Sequence, residues 1–152
     1  MSVEARLAEL GLALPPVAAP AGAYIPAVIS GHLVFTAGQL PFAGGVLPAT
    51  GKVGAEVSAE EAAAFAQTAA LNALAAAADA IGSLDRVIRV VKATVFVASA
   101  PDFTAQPAVA NGASDFLGEL FGDAGRHARS AVGVAVLPLD SPVELELILE
   151  FA

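Results

Sequence analysis

The stretch ARSAVGVAVLPLDSPVELELILEF, Ala128–Phe151, holds two β-rich runs on either side of a proline-flanked turn, PLDSP. Arg129–Leu137 and Val143–Phe151 read as strands. The second alternates cleanly, with Val143, Leu145, Leu147, Leu149 and Phe151 on one face and Glu144, Glu146 and Glu150 on the other. Successive side chains of a strand point to opposite faces, so this run predicts a sheet with one covered face. If a regular hairpin joins the two runs, with Leu137 opposite Val143, Arg129 faces the last residues of the chain rather than Glu144. Bringing Arg129 and Glu144 to one ligand then requires an irregular register or contributions from two subunits. The first run also opens on a cationic cluster, Arg126, His127 and Arg129, in a chain of formal net charge -8.

Working back from this stretch, Pro107–Phe121 has the apolar stripe of a helix (Phe116, Leu117, Leu120, Phe121) with Gly122 to close it. Arg86–Ala98 is rich in β-branched residues and reads as a strand. Ser58 and Glu61 form a capping box ahead of an alanine-rich helix that runs to Ile81 and stops at Gly82. In YIPAVISGHLVFTAGQLP, Tyr24–Pro41, two apolar runs flank Ser30-Gly31, the signal of a tight hairpin. Val3–Leu12 reads as a short amphipathic helix capped by Ser2, followed by a proline- and alanine-rich linker to Gly22. The order strands, helix, strand, helix, strands predicts an α+β class with two helices on one face of a sheet. The 152 residues suit a single domain, with residues 1–17 as an N-terminal helical extension and linker.

Composition narrows the function. Lys plus Arg number 7 against 15 Asp plus Glu, with no basic run, which argues against a nucleic-acid partner. The absence of cysteine excludes disulfide and thiolate chemistry, and two histidines, His32 and His127, are too few for a convincing metal site. The N-terminal segment does not follow a signal-peptide pattern, and prolines break the uncharged region Gly11–Gly51. The expectation is a soluble, cytoplasmic protein with no membrane partner. A hydrophobic content of 57%, much of it alanine, points to surface buried between subunits of a homo-oligomer.

Three segments resemble the RidA/YjgF family of imine and enamine deaminases, also labelled L-PSP endoribonucleases. AAPAGAYIPAV, Ala18–Val28, is similar to the family's substrate-side segment with a tyrosine, here Tyr24. FTAGQLP, Phe35–Pro41, is similar to its glycine-glutamine turn, here Gly38 and Gln39, and ARSAVGVAVLPLDSPVELE, Ala128–Glu146, to its C-terminal signature. The element order agrees from Ala18 onward, with the N-terminal helix outside the pattern. The resemblance implies a chorismate-mutase-like fold, a homotrimer and ligand clefts between neighbouring subunits. It further implies that Arg129 binds the substrate carboxylate, which a guanidinium grips with two parallel charge-assisted hydrogen bonds. Glu144 matches the acidic residue associated with the attacking water. Tyr24, the single tyrosine, is read either as a core aromatic or, from its matching position, as a ring that stacks on the ligand, and backbone groups near Gly38 and Ala131 would position substrate. The chain departs from the family at Ala37, where many members have serine, at Ala131, often cysteine, and at His127, often proline. His127 is read as a neutral packed histidine, and Arg126, Glu146, Glu150 and His32 as surface groups.

On this resemblance the leading function is hydrolysis of small 2-imino or 2-enamino acids to 2-keto acids and ammonia. No cofactor is needed, because an imine is already electrophilic and the protein supplies orientation and proton transfer. The alternative is a non-catalytic trimeric binder of small carboxylates, favoured by Ala37 and Ala131. Endoribonuclease activity ranks last, since an acidic chain without a histidine pair or basic groove is poorly matched to RNA.

Overall fold

The computed structural model describes every residue, Met1–Ala152. The alternating C-terminal run lies at the centre of a five-stranded sheet. Its strands are β1 (Ala27–Ser30), β2 (Leu33–Thr36), β3 (Val87–Ala98), β4 (Ala128–Val134) and β5 (Val143–Phe151), in the order β1-β2-β5-β3-β4. All neighbours are antiparallel except β3 and β4, which are parallel. Parallel neighbours need a long crossover, and α3 (Gln106–Phe121) supplies it. The last two strands are therefore not a hairpin. The twelve-residue β3 stands between them and takes β5 on one edge and β4 on the other. β4 also ends at Val134 rather than Leu137, as the chain leaves to cross β3. In the turn that follows, Leu139 and Asp140 take φ of 58° and 57°. Asp140 is pinned there by Lys52 Nζ at 2.5 Å and by the Gly51 N–H, which donates to its carbonyl at 2.9 Å.

The covered face carries α2 (Ala59–Ile81) and α3, whose termini fall within a residue of the sequence expectation. Both halves of the capping box form: the Glu61 N–H donates to Ser58 Oγ, and the Ser58 N–H donates to Glu61 Oε1. Ala62, Ala66, Ala69, Ala70, Ala73 and Ala77 make one buried stripe. Because these side chains are small, backbones approach closely, and a Cβ on Gly112 of α3 would lie 1.9 Å from the Ala63 carbonyl oxygen. By length and composition α2 could cross a membrane; in this fold its alanine stripe is buried against the sheet and α3. The short α1 (Val3–Glu9) docks on the same domain through buried Leu7 and an Arg6 Nε hydrogen bond to the Glu119 carbonyl.

The β1–β2 hairpin turns at Gly31-His32, one residue later than expected, with Ser30 paired to Leu33. Gly31, with φ of 61°, takes the first central position, where a two-residue loop gains most from glycine. The second face of the sheet has no helix over it. Val28, Phe35, Ile148, Phe96 and Val132 lie there among Lys92, Thr94, Glu144 and Glu146, as the pairing register requires.

Candidate functional site

Arg129 stands level with Ala93 and Leu147, both buried beneath the helices, so its side chain rises on the covered face of edge strand β4. There it meets α3. Its Nη1 donates to Asn111 Oδ1 at 2.7 Å and to Ser114 Oγ at 3.2 Å. Ser114 Oγ lies 2.9 Å from His127 Nε2, and His127 Nδ1 lies 2.6 Å from the Gly125 carbonyl oxygen. A carbonyl only accepts, so Nδ1 carries a proton, and the Ser114 hydroxyl, with two lone pairs, has one left for Arg129 whichever way it bonds to Nε2. The arginine is thus fixed entirely by neutral groups. No carboxylate lies within ion-pair distance, and the Nε–Nη2 edge makes no hydrogen bond within the chain. A guanidinium held this way keeps its full charge and its bidentate edge for an anion. It opens on a cleft of about 340 Å³ lined by Ser114, Gly118, Gly125, Arg126, His127 and Arg129.

Glu144 lies on the uncovered face opposite Phe96. Phe35 pairs with Ile148 and Gln39 with Leu145, so four residues on one strand span three on the other, and the ladder bulges at Ala37-Gly38. The bulge brings backbone against the carboxylate: a Cβ on Gly38 would lie 2.9 Å from Glu144 Cδ and Oε2. Burial, and then the nearby charge of Glu146, raise the Glu144 pKa above the ordinary carboxylate range.

The residues singled out by sequence therefore fall into separate groups within one subunit. Gly38 and Glu144 are together. Arg129 and Ala131 share the covered face of β4, whose outer backbone edge has no strand beside it. Arg129 and Glu144 are on opposite faces and three residues apart along the sheet, since Arg129 is level with Leu147. Tyr24 precedes β1 at the other sheet edge, four strand spacings or about 19 Å from β4. It is 52% exposed, and its hydroxyl accepts a weak hydrogen bond from the Ala21 N–H. Sequence reasoning overlooked Asn111 and Ser114. The available signal was two polar residues three apart on a helix face otherwise built from Ala110, Ala113 and Leu117.

Residues 4–151 match the model of the family described as "YjgF/chorismate_mutase-like, putative endoribonuclease". The chain belongs to this family. The match begins inside α1, so the N-terminal helix lies within the family's span and not outside it, as the sequence had suggested. The chain is 48% identical over 149 residues to protein TCP17 of Trypanosoma cruzi, covering 97% of this chain and 93% of that one. It is 43% identical to an Agrobacterium tumefaciens protein of unknown function, with a TM-score of 0.92 and coverage of 99% of this chain and 92% of that chain. Escherichia coli TdcF, solved with bound serine, is 28% identical, with a TM-score of 0.63 and coverage of 91% and 94%. The YjgF-like core is thus shared with TdcF, and the detailed shape is shared with the Agrobacterium protein.

Proposed function

We propose that this YjgF-family protein hydrolyses small 2-imino and 2-enamino acids to 2-keto acids and ammonia, in clefts between the subunits of a homotrimer. The observation that carries this reading is Arg129, locked by neutral acceptors with its Nε–Nη2 edge unpaired. That is how a receptor for a small carboxylate is built. The position of Glu144 on the opposite face favours a cleft completed by a neighbour, and the apolar side chains of the uncovered face offer the surface such a neighbour would bury. The serine bound by TdcF is itself a small 2-amino acid with a carboxylate.

In this mechanism Arg129 holds the substrate carboxylate and so fixes the adjacent imine carbon. The acid form of Glu144, which burial favours relative to an exposed carboxyl, protonates the imine nitrogen, or the enamine carbon to give the imine. Water adds to C2 while the carboxylate so formed accepts a proton from it. The resulting carbinolamine collapses to the keto acid and expels ammonia, so that one water is consumed for each C=N bond replaced by C=O. Backbone groups at Gly38 and Ala131 hold the substrate, and Tyr24 reaches it from the neighbouring subunit.

The test is ammonia and pyruvate release from 2-aminoacrylate generated in situ, alongside light scattering for a mass about three times that of the chain. A monomeric protein, or a rate no faster than in buffer, overturns the assignment. Ala37 and Ala131, which supply no side-chain polar group, favour the second reading of a non-catalytic carboxylate carrier; ligand binding without turnover would establish it.

A further inference from the structure

We propose that the cleft at the mouth of β4 recognises a second anionic group. Its ligand is then a small dianion: a 2-oxo or 2-imino acid that carries a further carboxylate or a phosphate. This rests on Arg129 as the anchor for the first carboxylate.

The lining of the cleft carries the inference. Of its six residues three are basic side chains, Arg126, His127 and Arg129, and none is acidic or apolar. The whole chain has only 7 Lys and Arg against 15 Asp and Glu. Even so, Arg129 has no carboxylate within ion-pair distance. Arg126 approaches only Asp123, at 3.9 Å, and both side chains stand in solvent at 86% and 101% exposure. Such a contact contributes little and is readily exchanged for a ligand. Two guanidiniums on one polar cleft, one without a carboxylate partner and the other in a solvent-exposed pair, set up a positive field that a single carboxylate leaves half used.

The neighbouring residues divide the labour. His127 has both ring nitrogens committed, to Ser114 and to the Gly125 carbonyl, so it acts as a brace and the second anchor is Arg126. Gly118 and Gly125 line the cleft without a side chain to fill it. Gly125 is held there by packing, since a Cβ would lie 2.3 Å from the Leu117 carbonyl oxygen. Arg126 and His127 also border an adjoining cleft with Arg89, but Glu150 lines that one and turns an anion back towards Arg129.

The experiment is calorimetric titration of the full-length protein with 2-oxoglutarate, 3-phosphonooxypyruvate and 2-oxopentanoate, the last matching 2-oxoglutarate in chain length without its distal charge. At least one dianion is expected to bind about tenfold more tightly than 2-oxopentanoate, the gain from one charge-assisted hydrogen bond. Which dianion gains identifies the second group. Arg126→Gln should close that gap, with thermal melts as the folding control, whereas Arg129→Lys should weaken all three. Equal affinities in the parent, or a gap that survives Arg126→Gln, overturn the second anchor and leave Arg129 in place. Failure of all three ligands to bind overturns the anchor role of Arg129 as well.

Discussion

Replacing Arg129 with lysine keeps the charge and removes the fork. In the parent, Nη1 is occupied by Asn111 at 2.7 Å and Ser114 at 3.2 Å, which orients the Nε–Nη2 edge without competing for it. A lysine ammonium can satisfy Asn111 or the ligand as a point charge, but it cannot present two parallel donors while also holding Asn111. One charge-assisted hydrogen bond to the ligand is lost, roughly 1.5–3 kcal/mol, or about 10- to 150-fold in Kd. Fold stability should change far less, because Arg129 has no carboxylate partner to strand and lies on an edge strand. Calorimetric titration of 2-oxobutyrate into both proteins measures the first quantity, and thermal melts measure the second. Asn111→Ala supplies an internal control: it unlocks the guanidinium without removing it, so it should weaken binding by less than Arg129→Lys. If the lysine variant binds 2-oxobutyrate as tightly as the parent, the unpaired edge is not a carboxylate site. Equal losses in binding and stability would make Arg129 a structural residue instead.

Gly38→Ala places a methyl group 2.9 Å from the Glu144 carboxyl, the free end of a flexible side chain, so the carboxyl should swing away at little cost in stability. Deaminase turnover is expected to fall while the melting temperature stays within a few degrees; unchanged turnover would separate Glu144 from the chemistry. Glu144→Gln should lower turnover more than ligand affinity, since a proton-transfer group acts mainly in the transition state. The same variant tests the raised pKa. Because the folded state holds the Glu144 proton more tightly than the unfolded chain, ionisation costs stability as pH rises above the ordinary carboxylate range. Glu144→Gln should therefore melt higher than the parent at neutral pH, and the difference should vanish in acid; no difference at neutral pH would contradict the burial. Gly112→Ala sets a Cβ 1.9 Å from a backbone oxygen that cannot yield, so a loss of about 3 kcal/mol is expected, towards the upper end for overpacking, with a melting point lower by about 6–12 °C. A mild effect would mean that α2 and α3 do not approach at backbone contact.

Much of this protein is local, and local features were legible in the sequence. The capping box at Ser58 and Glu61, the stop at Gly82 and the alternation of Val143–Phe151 are written into neighbouring residues by hydrogen-bond reach and by the periods of helix and strand. So was the family, because the Ala-Arg-Ser opening, the Leu-Pro turn and the acidic strand occur together at fixed spacing. Strand neighbourhood was not legible. Strands consecutive in sequence usually pair, yet β4 and β5 are separated by β3, because α3 returns the chain parallel to β3 and leaves β4 only the outer edge. That one topological fact puts Arg129 level with Leu147 and beneath α3, whereas its separation from Glu144 was already legible, since a regular hairpin would also have set Arg129 opposite the last residues of the chain. The Asn111–Arg129 and Ser114–His127 contacts were hidden for a similar reason. They span 18 and 13 residues, and only the crossing of α3 over β4 brings neutral acceptors to an arginine that the sequence shows merely as a charge.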